Sequence, residues 1–307
     1  MFDRNAIPAR LPSPRCFAAT WLRSSRGFEG ARLQPCRNRR QKKWALAPEG
    51  RLPAFLLLLI LCFPSLVFAQ QNPSTLHVAA AADLQPVLPP LLTAFHQQTG
   101  IQVLASYQSS ATLATQIIEG APFDLFLAAD MSFPQRVVAA GKAEAAPILY
   151  ARGTLVLWTR NDSGVTNLSL ESLRGSAIRS IAIASPEHAP YGRAAQAALE
   201  HLNLLAAVQS RLRIAENIAQ AAQYVDSGNA QVGFISLTSA LTPRLRADGH
   251  YIRVPAADYP PILQGAVILR GAKAAGAAHR FLDFLDSPGV AQNLANSGLE
   301  PVQHAGH

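Results

Sequence analysis

Residues 107–130 of this 307-residue chain read YQSSATLATQIIEGAPFDLFLAAD and contain the pattern that most clearly indicates the fold class. It starts at the end of one apolar run, places Leu113, Ala114, Ile117 and Ile118 at helical spacing, and closes with a second apolar run. Spacing of three and four residues predicts an amphipathic helix, and Gly120 is a typical residue at a helix C-terminus. The stretch therefore predicts a strand, a helix and a second strand, the repeating unit of α/β proteins.

The same alternation of short apolar runs and amphipathic stretches continues on both sides of this unit. It predicts an α/β protein with a largely parallel sheet. Pro89 and Pro90 cannot donate within a helix, so the first helix is either kinked or begins near Leu88. Strands are predicted at Leu76–Ala81, Val103–Tyr107, Asp124–Ala128, Thr154–Trp158, Ser180–Ala184, Gln231–Ile235 and Ala266–Leu269, and further helices at 194–205, 218–225 and 278–285.

Charge is distributed unevenly along the chain. Residues 1–69 carry 12 of the 27 basic side chains and only 3 of the 19 acidic ones, which leaves the remaining 238 residues close to neutral. A neutral body lacks the basic surface on which nucleic-acid binding depends. The three cysteines, Cys16, Cys36 and Cys62, all precede residue 70. The body therefore has neither a disulfide framework nor a catalytic or metal-binding thiolate.

The basic leader ends in an export signal. An apolar stretch of about 15 residues starts at Ala54, follows several Arg and Lys residues, and ends with the small residues Val67 and Ala69. A membrane-spanning helix needs about 20 apolar residues. We expect residues 1–69 to be a leader with a signal peptide cleaved after Ala69, which would place the body in the periplasm; a short retained anchor is the alternative.

Four segments of the body place small or hydroxyl-bearing residues where a strand or loop gives way to a helix. The first turn of a helix has unpaired N–H groups and a partial positive charge, so several such turns aimed at one cleft can hold an anion without Lys or Arg. Taken singly, each segment is better explained as ordinary helix capping. The four segments are Val78–Leu84, Tyr107–Leu113, Pro186–Arg193 and Ala215–Ile218.

Taken together, the four segments resemble one family, the periplasmic molybdate-binding (ModA-type) proteins of ABC importers. The resemblance is carried by AAADL at 80–84, by residues 107–130, by PEHAPYG at 186–192 and by AENI at 215–218. It extends over residues 75–300 and includes FLDFLDSP at 281–288.

This resemblance implies a bilobal periplasmic-binding-protein fold of type II, in which two doubly wound lobes are joined by a hinge and enclose a ligand cleft. Residues 70–152 and 258–307 would form lobe 1, and residues 153–257 would form lobe 2. The ligand would be molybdate, and also tungstate, delivered by a monomer to an ABC permease and its ATPase, with no cofactor and no cation site. By position, the oxyanion contacts fall on Ala82, Asp83, Ser110, Tyr191 and Ile218.

Asp83 departs from the family pattern, which has Ser or Thr at this position. An ionised carboxylate facing a dianion in a dry site is strongly unfavourable. In one interpretation the carboxylate caps its own turn and leaves only its N–H to the ligand. In the other it accepts a hydrogen bond from an oxyanion that still carries a proton, such as monohydrogen phosphate. Some family members place the site tyrosine at the position of Ser236 instead of Tyr191.

Other functions remain open at this stage. The ligand could be phosphate, arsenate or sulfate, and the protein could act as a periplasmic sensor rather than in transport. A hydrolase could use Ser110, His188 and Asp83 as a triad, although sequence order gives no geometry and no G-x-S-x-G motif is present. Arg193 would either stabilise an anion or point to solvent.

Overall fold

The structure is a computed structural model that describes residues 75–302. The predicted signal peptide and the rest of the leader lie outside these residues. The described chain forms two β-sheets flanked by helices, as expected for the two-lobed α/β fold. Among the same residues, no helix has the length and apolarity needed to cross a bilayer.

The first sheet collects strands from both ends of the described chain, in the order β11-β4-β10-β3-β1-β2. Parallel pairs join β1 to β2 and to β3, whereas β10 and β11 pair antiparallel. Its strands are β1 (Leu76–Ala81), β2 (Val103–Gln108), β3 (Leu125–Ala128), β4 (Ile148–Gly153), β10 (Ile262–Ile268) and β11 (Leu299–Pro301).

The second sheet uses only the middle of the chain, in the order β7-β6-β8-β5-β9. Here β6 is parallel to β7 and β8, and β5 is antiparallel to both of its neighbours. Its strands are β5 (Leu155–Arg160), β6 (Ile181–Ala184), β7 (Leu212–Ala215), β8 (Val232–Ser236) and β9 (Gly249–Arg253).

The prediction of a largely parallel sheet is therefore wrong, because both sheets are mixed. Parallel neighbours need a crossover connection, usually a helix. The chain enters β5 directly from β4, and enters β10 from β9, without such a helix. β10 and β5, which the chain enters from the other sheet, pair antiparallel with β3 and β8, respectively.

Alternate residues of the central strands explain why helices cover both faces of the first sheet. In β1, Val78 and Ala80 pack into one apolar cluster with α1, α9 and α10, whereas Ala79 packs into the opposite cluster with α2 and α3. Because both faces are buried, these strands are continuous apolar runs. The helices are α1 (Leu88–Thr99), α2 (Ser110–Ile118), α3 (Ser132–Ala139), α4 (Pro190–His201), α5 (Leu205–Val208), α6 (Ile218–Asp226), α7 (Leu237–Ala240), α8 (Pro243–Asp248), α9 (Ala275–Asp286) and α10 (Pro288–Asn296).

The first helix begins at Leu88, which is one of the two predicted alternatives. Pro89 and Pro90 occupy its first turn, where backbone N–H groups have no partner within the helix. A turn of 3-10 helix, Ala82–Leu84, separates β1 from α1. This turn places Asp83 at the end of the sheet.

The two chain crossings between the sheets lie side by side. The first crossing is short, since β4 ends at Gly153 and β5 begins at Leu155. The second crossing contains Val254 and Tyr259. The Val254 N–H donates to the Leu155 carbonyl at 3.1 Å, and the Leu155 N–H donates to the Tyr259 hydroxyl at 3.2 Å.

Candidate functional site

The 3-10 turn after β1 carries Ala82 and Asp83 at a junction between the two sheets. Both residues are buried, and the Asp83 side chain has no solvent exposure. Ala82 belongs to the apolar cluster of the second sheet although it follows a strand of the first. The Asp83 carbonyl accepts a hydrogen bond from the Thr238 hydroxyl of α7 at 2.7 Å. The turn is thus held between the two lobes.

The two serines at the start of α2 have different roles. Ser109 is the N-cap, and its hydroxyl oxygen accepts from the Thr112 N–H at 3.2 Å. The Ser110 oxygen accepts from the Ala129 N–H at 3.0 Å, after β3. Because that bond uses a lone pair, the Ser110 hydroxyl proton can still donate. Both serines are buried.

Tyr191 lies in the first turn of α4 and is fully enclosed. Pro190 occupies the start of this helix, where its missing N–H costs nothing. The Tyr191 hydroxyl donates to Asp83 Oδ2 at 3.0 Å, across the two lobes. A methyl group on Gly153 would collide with this hydroxyl, so only glycine fits beside it.

Ile218 is the first residue of α6, which follows the end of β7. Asn217 caps the helix by accepting from the Gln220 N–H at 3.0 Å. The Ile218 N–H lies in the first turn, where it has no acceptor within the helix. Ile218 shares one apolar cluster with Ala82 and Tyr191, and α6 contacts the Ala82–Leu84 turn.

The four predicted segments therefore converge. The serine loop joins the loop before α4 through a bond from the Ala111 N–H to the His188 carbonyl at 3.2 Å. Asp83 joins Tyr191, and Ala82 clusters with Tyr191 and Ile218. All five residues assigned to the oxyanion by the resemblance are at most 3% exposed. They bring backbone N–H groups and hydroxyls together at the boundary between the two sheets.

The Asp83 carboxylate does not cap its own turn, so that interpretation is wrong. No side chain caps the Ala82–Leu84 turn. Asp83 Oδ2 instead accepts from the Tyr191 hydroxyl and from the Gln264 amide, and the Tyr150 hydroxyl donates to Gln264 Oε1 at 2.7 Å. Asp83 Oδ1 is buried without a hydrogen-bond partner among the described residues.

Burial sets the ionisation of this group. It raises the pKa of Asp83 to about 6, against the opposing effect of hydrogen bonds from Gln264, from Tyr191 and from the backbone of Asp83 itself. The pKa of Tyr191 is also raised well above its ordinary value, chiefly by burial and then by the negative charge of Asp83. Burial and the same charge raise the pKa of Tyr150. The tyrosines therefore act as neutral donors.

Gln264 and Tyr150 are not among the predicted site residues. Gln264 is the polar residue in the otherwise apolar stretch 262–269, and that was the available signal, since a buried amide needs partners. It lies at a break in the register between β10 and β4, where a bulge redirects side chains. The predicted strand at Ala266–Leu269 accordingly begins earlier, at Ile262.

The remaining candidates do not form a catalytic or cationic centre. The His188 side chain is about half exposed and faces Glu187 at 4.0 Å, and no hydrogen bond among the described residues links it to Ser110 or Asp83. Arg193 neither reaches the site nor points freely to solvent, because it pairs with Asp130 at 2.7 Å. Within residues 75–302, no group of His, Cys, Asp and Glu could hold a metal ion.

Ser236, the alternative tyrosine position, is also buried. Its hydroxyl oxygen caps α7 by accepting from the Ser239 N–H at 3.2 Å, and it lies 2.8 Å from the Thr238 hydroxyl oxygen. Thr238 in turn reaches the Asp83 carbonyl. Ser236 therefore supports the turn that carries Asp83.

Comparison with known proteins agrees with this geometry. Residues 76–300 match the family described as bacterial extracellular solute-binding protein. The chain belongs to this family. Members of the family are solute-binding proteins, and two curated relatives are similar over most of their length. The molybdate-binding protein ModA of Azotobacter vinelandii is 36% identical over 212 residues, which cover 69% of this chain and 84% of the relative.

The second relative is the molybdate-binding protein ModA of Rhodobacter capsulatus, 33% identical over 205 residues, which cover 66% of this chain and 79% of the relative. Among solved structures, the Azotobacter vinelandii periplasmic molybdate-binding protein superposes with a TM-score of 0.69 at 32% identity. That match covers 73% of this chain and 98% of the solved one. The family similarity thus includes all four converging segments.

Proposed function

We propose that this protein binds molybdate, and also tungstate, in the periplasm and delivers it to an ABC permease and its ATPase. The observation that carries the proposal is the convergence of four helix-start or strand-end segments on one buried junction between the two sheets. The names of the Azotobacter and Rhodobacter relatives support molybdate as the ligand. Export through the leader, with cleavage after Ala69, and a monomeric state belong to the same proposal.

The proposed contacts follow from the donors available at the junction. The N–H groups of Ala82, Asp83 and Ile218, the Ser110 hydroxyl and the Tyr191 hydroxyl each donate to an anion oxygen. Uncharged donors in a dry site can stabilise a dianion because dipoles there are weakly screened. The protein binds and releases its ligand without chemical change, and it uses no cofactor or cation.

Closure of the two lobes completes the site. We assign lobe 1 to residues 70–152 and 258–307, and lobe 2 to residues 153–257. Asp83 and Ser110 come from lobe 1, whereas Tyr191 and Ile218 come from lobe 2, so an anion binds fully only when the lobes meet. The permease then recognises the closed form. In the structure, the Asp83 carboxylate accepts the hydrogen bond from the Tyr191 hydroxyl that we assign to the anion.

A thermal-melt series tests this function. Molybdate and tungstate should raise the midpoint of unfolding more than sulfate or phosphate, because a ligand that binds only the folded state stabilises it. At a hundredfold excess over Kd the gain is about 2.7 kcal/mol. A midpoint unmoved by any of the four anions would contradict oxyanion binding, and a shift with phosphate alone would assign the site to a protonated oxyanion.

A further inference from the structure

Four buried polar side chains form a chain of hydrogen bonds that ends in the proposed site. Tyr150 on β4 donates to Gln264 on β10, Gln264 donates to Asp83, and Tyr191 on α4 donates to the same Asp83 oxygen. The hydrogen-bonding groups of the other three members, Tyr150, Gln264 and Tyr191, are uncharged. Asp83 is thus the ionisable member whose charge can change within the physiological range.

The two oxygens of Asp83 have different surroundings. Oδ2 accepts two hydrogen bonds, whereas Oδ1 is buried and accepts none from the described residues. A buried acceptor without a donor is unfavourable. The same atom in a neutral carboxylic acid carries a proton and becomes a donor. Such a donor, on a residue whose backbone N–H we also assign to the anion, is suited to an oxyanion.

We propose that Asp83 binds the oxyanion as a neutral carboxylic acid, donating its Oδ1 proton to an anion oxygen while Oδ2 keeps the hydrogen bond from Gln264. This inference rests on the proposed function. The proton comes from solvent and remains on Asp83. Protonation has a second consequence, because a neutral acid is a weaker acceptor than a carboxylate and releases the Tyr191 hydroxyl to the anion.

The surrounding charges favour this state. No Lys, Arg or His among the described residues donates to Asp83, so its negative charge has no cationic partner. An arriving dianion is a like charge, and like charges raise the pKa of a carboxyl group further. The titratable side chains on the elements around the Asp83 turn are His77 on β1, Tyr107 on β2, Tyr150 and Arg152 on β4, Tyr191, the Asp130-paired Arg193, Glu200 and the Asp258-paired His201 on α4, and Tyr224 and the Arg244-paired Asp226 on α6.

The contacts proposed for Asp83 and Tyr191 are to oxygen atoms of the anion. None of the titratable side chains around the Asp83 turn is a metal ligand. The opposite arrangement, in which an ionised Asp83 accepts from a hydrogen-bearing oxyanion such as monohydrogen phosphate, requires no proton uptake. Proton uptake therefore separates the two arrangements. It also explains how a carboxyl group can stand where the resembling family has a hydroxyl.

The test measures the Kd for molybdate by titration calorimetry between about pH 6.5 and about pH 8.5. If the complex holds a proton that the free protein lacks, Kd rises about tenfold per pH unit in this range. Repeating the titration in two buffers of different ionisation enthalpy counts the protons, with about one taken up per anion. This count uses the unaltered protein and does not depend on a variant that folds.

Asp83→Asn is the matched variant, because its amide can donate to the anion but cannot titrate. Its Kd should be independent of pH and its proton uptake zero, and its melting midpoint without ligand verifies folding. Asp83→Ser supplies the hydroxyl of the resembling family and should bind molybdate as tightly as, or more tightly than, the unaltered protein at about pH 8. A pH-independent Kd in the unaltered protein, or a slope retained in Asp83→Asn, overturns the proton-linked mechanism alone. If neither the unaltered protein nor Asp83→Ser binds any oxyanion, the proposed function falls as well.

Discussion

The hydroxyl of Tyr191 donates to Asp83 Oδ2 at 3.0 Å, and this bond joins the start of α4 in one lobe to the end of β1 in the other. The two residues are 108 positions apart in the chain, and both are almost fully buried. In the proposed mechanism, this bond couples ligand binding to lobe closure. An anion that accepts a hydrogen bond from the Tyr191 hydroxyl would replace the Tyr191–Asp83 bond by a new contact between the lobes.

Tyr191→Phe tests the donor from lobe 2. The variant should raise the Kd for molybdate by roughly 5- to 150-fold, about 1–3 kcal/mol, because a charged acceptor loses a buried donor. Calorimetric titration measures the effect. Tyr251→Phe on β9, outside the converging segments, is the matched control and should leave the Kd unchanged. If the unaltered protein and both variants bound molybdate with the same Kd, Tyr191 would not be a contact of the anion.

Ser110→Ala tests the donor from lobe 1 and separates binding from capping. We expect a loss of about 1–3 kcal/mol in molybdate binding, since the hydroxyl proton has no replacement. Ser109→Ala removes the N-cap of α2 instead and should lower the free energy of unfolding by about 0.5–2 kcal/mol. If Ser109→Ala weakened binding and Ser110→Ala did not, the roles of the two serines would be reversed.

The stability of the ligand-free protein should depend on Asp83. Burial raises its pKa from the ordinary 3.8 to about 6, so the folded state holds more protons than the unfolded state between these values. The associated stability is fully present below about pH 4 and is lost as the pH rises through about 6. The difference is on the order of 3 kcal/mol.

Urea unfolding at several pH values, compared between the unaltered protein and Asp83→Asn, measures this effect. Other carboxylates titrate in both proteins and cancel in the difference. The difference in unfolding free energy should shift in favour of Asp83→Asn as the pH rises from about 4 to about 7. A constant difference would show that Asp83 ionises near its ordinary pKa.

Gly153→Ala should disturb the site without changing any donor. The added methyl group meets the Tyr191 hydroxyl, and overpacking of this kind costs about 1–3 kcal/mol. We expect both a lower melting midpoint and weaker molybdate binding. Gly276→Ala on α9, where a methyl group meets nothing, is the control and should be neutral or stabilising by up to about 1 kcal/mol. Intact binding in Gly153→Ala would show that Tyr191 can relocate.

Burial explains which strands could be predicted. The seven predicted strands are present, and six of them contain a run of apolar residues that the sheet buries; the seventh, β2, is an edge strand without a buried residue. The strands that were missed include β7, β9 and β11, which lie at sheet edges. Their exposed sides carry polar residues such as Arg213 and His250, so the apolar run is broken. β4, also missed, is partly exposed at both ends.

The candidate site also contains some residues that could be predicted from the sequence and others that could not. Small and hydroxyl residues at strand ends and helix starts could be identified locally, and the structure brings those segments together. The contact of Gln264 with Asp83 could not be predicted, because the two residues are 181 positions apart and only the mixed sheet places β10 nearby. The ionisation of Asp83 likewise depends on burial that no local pattern specifies.

The paired crossings at Leu155 and Val254 have a mechanical consequence. The two crossings are hydrogen-bonded to each other, and the first is only one residue long, so we expect them to restrict twisting and sliding of one sheet against the other. A protein whose lobes can move along only one path loses little backbone conformational entropy when the lobes close. Most of the interaction free energy between the donors and the anion then contributes to the binding affinity.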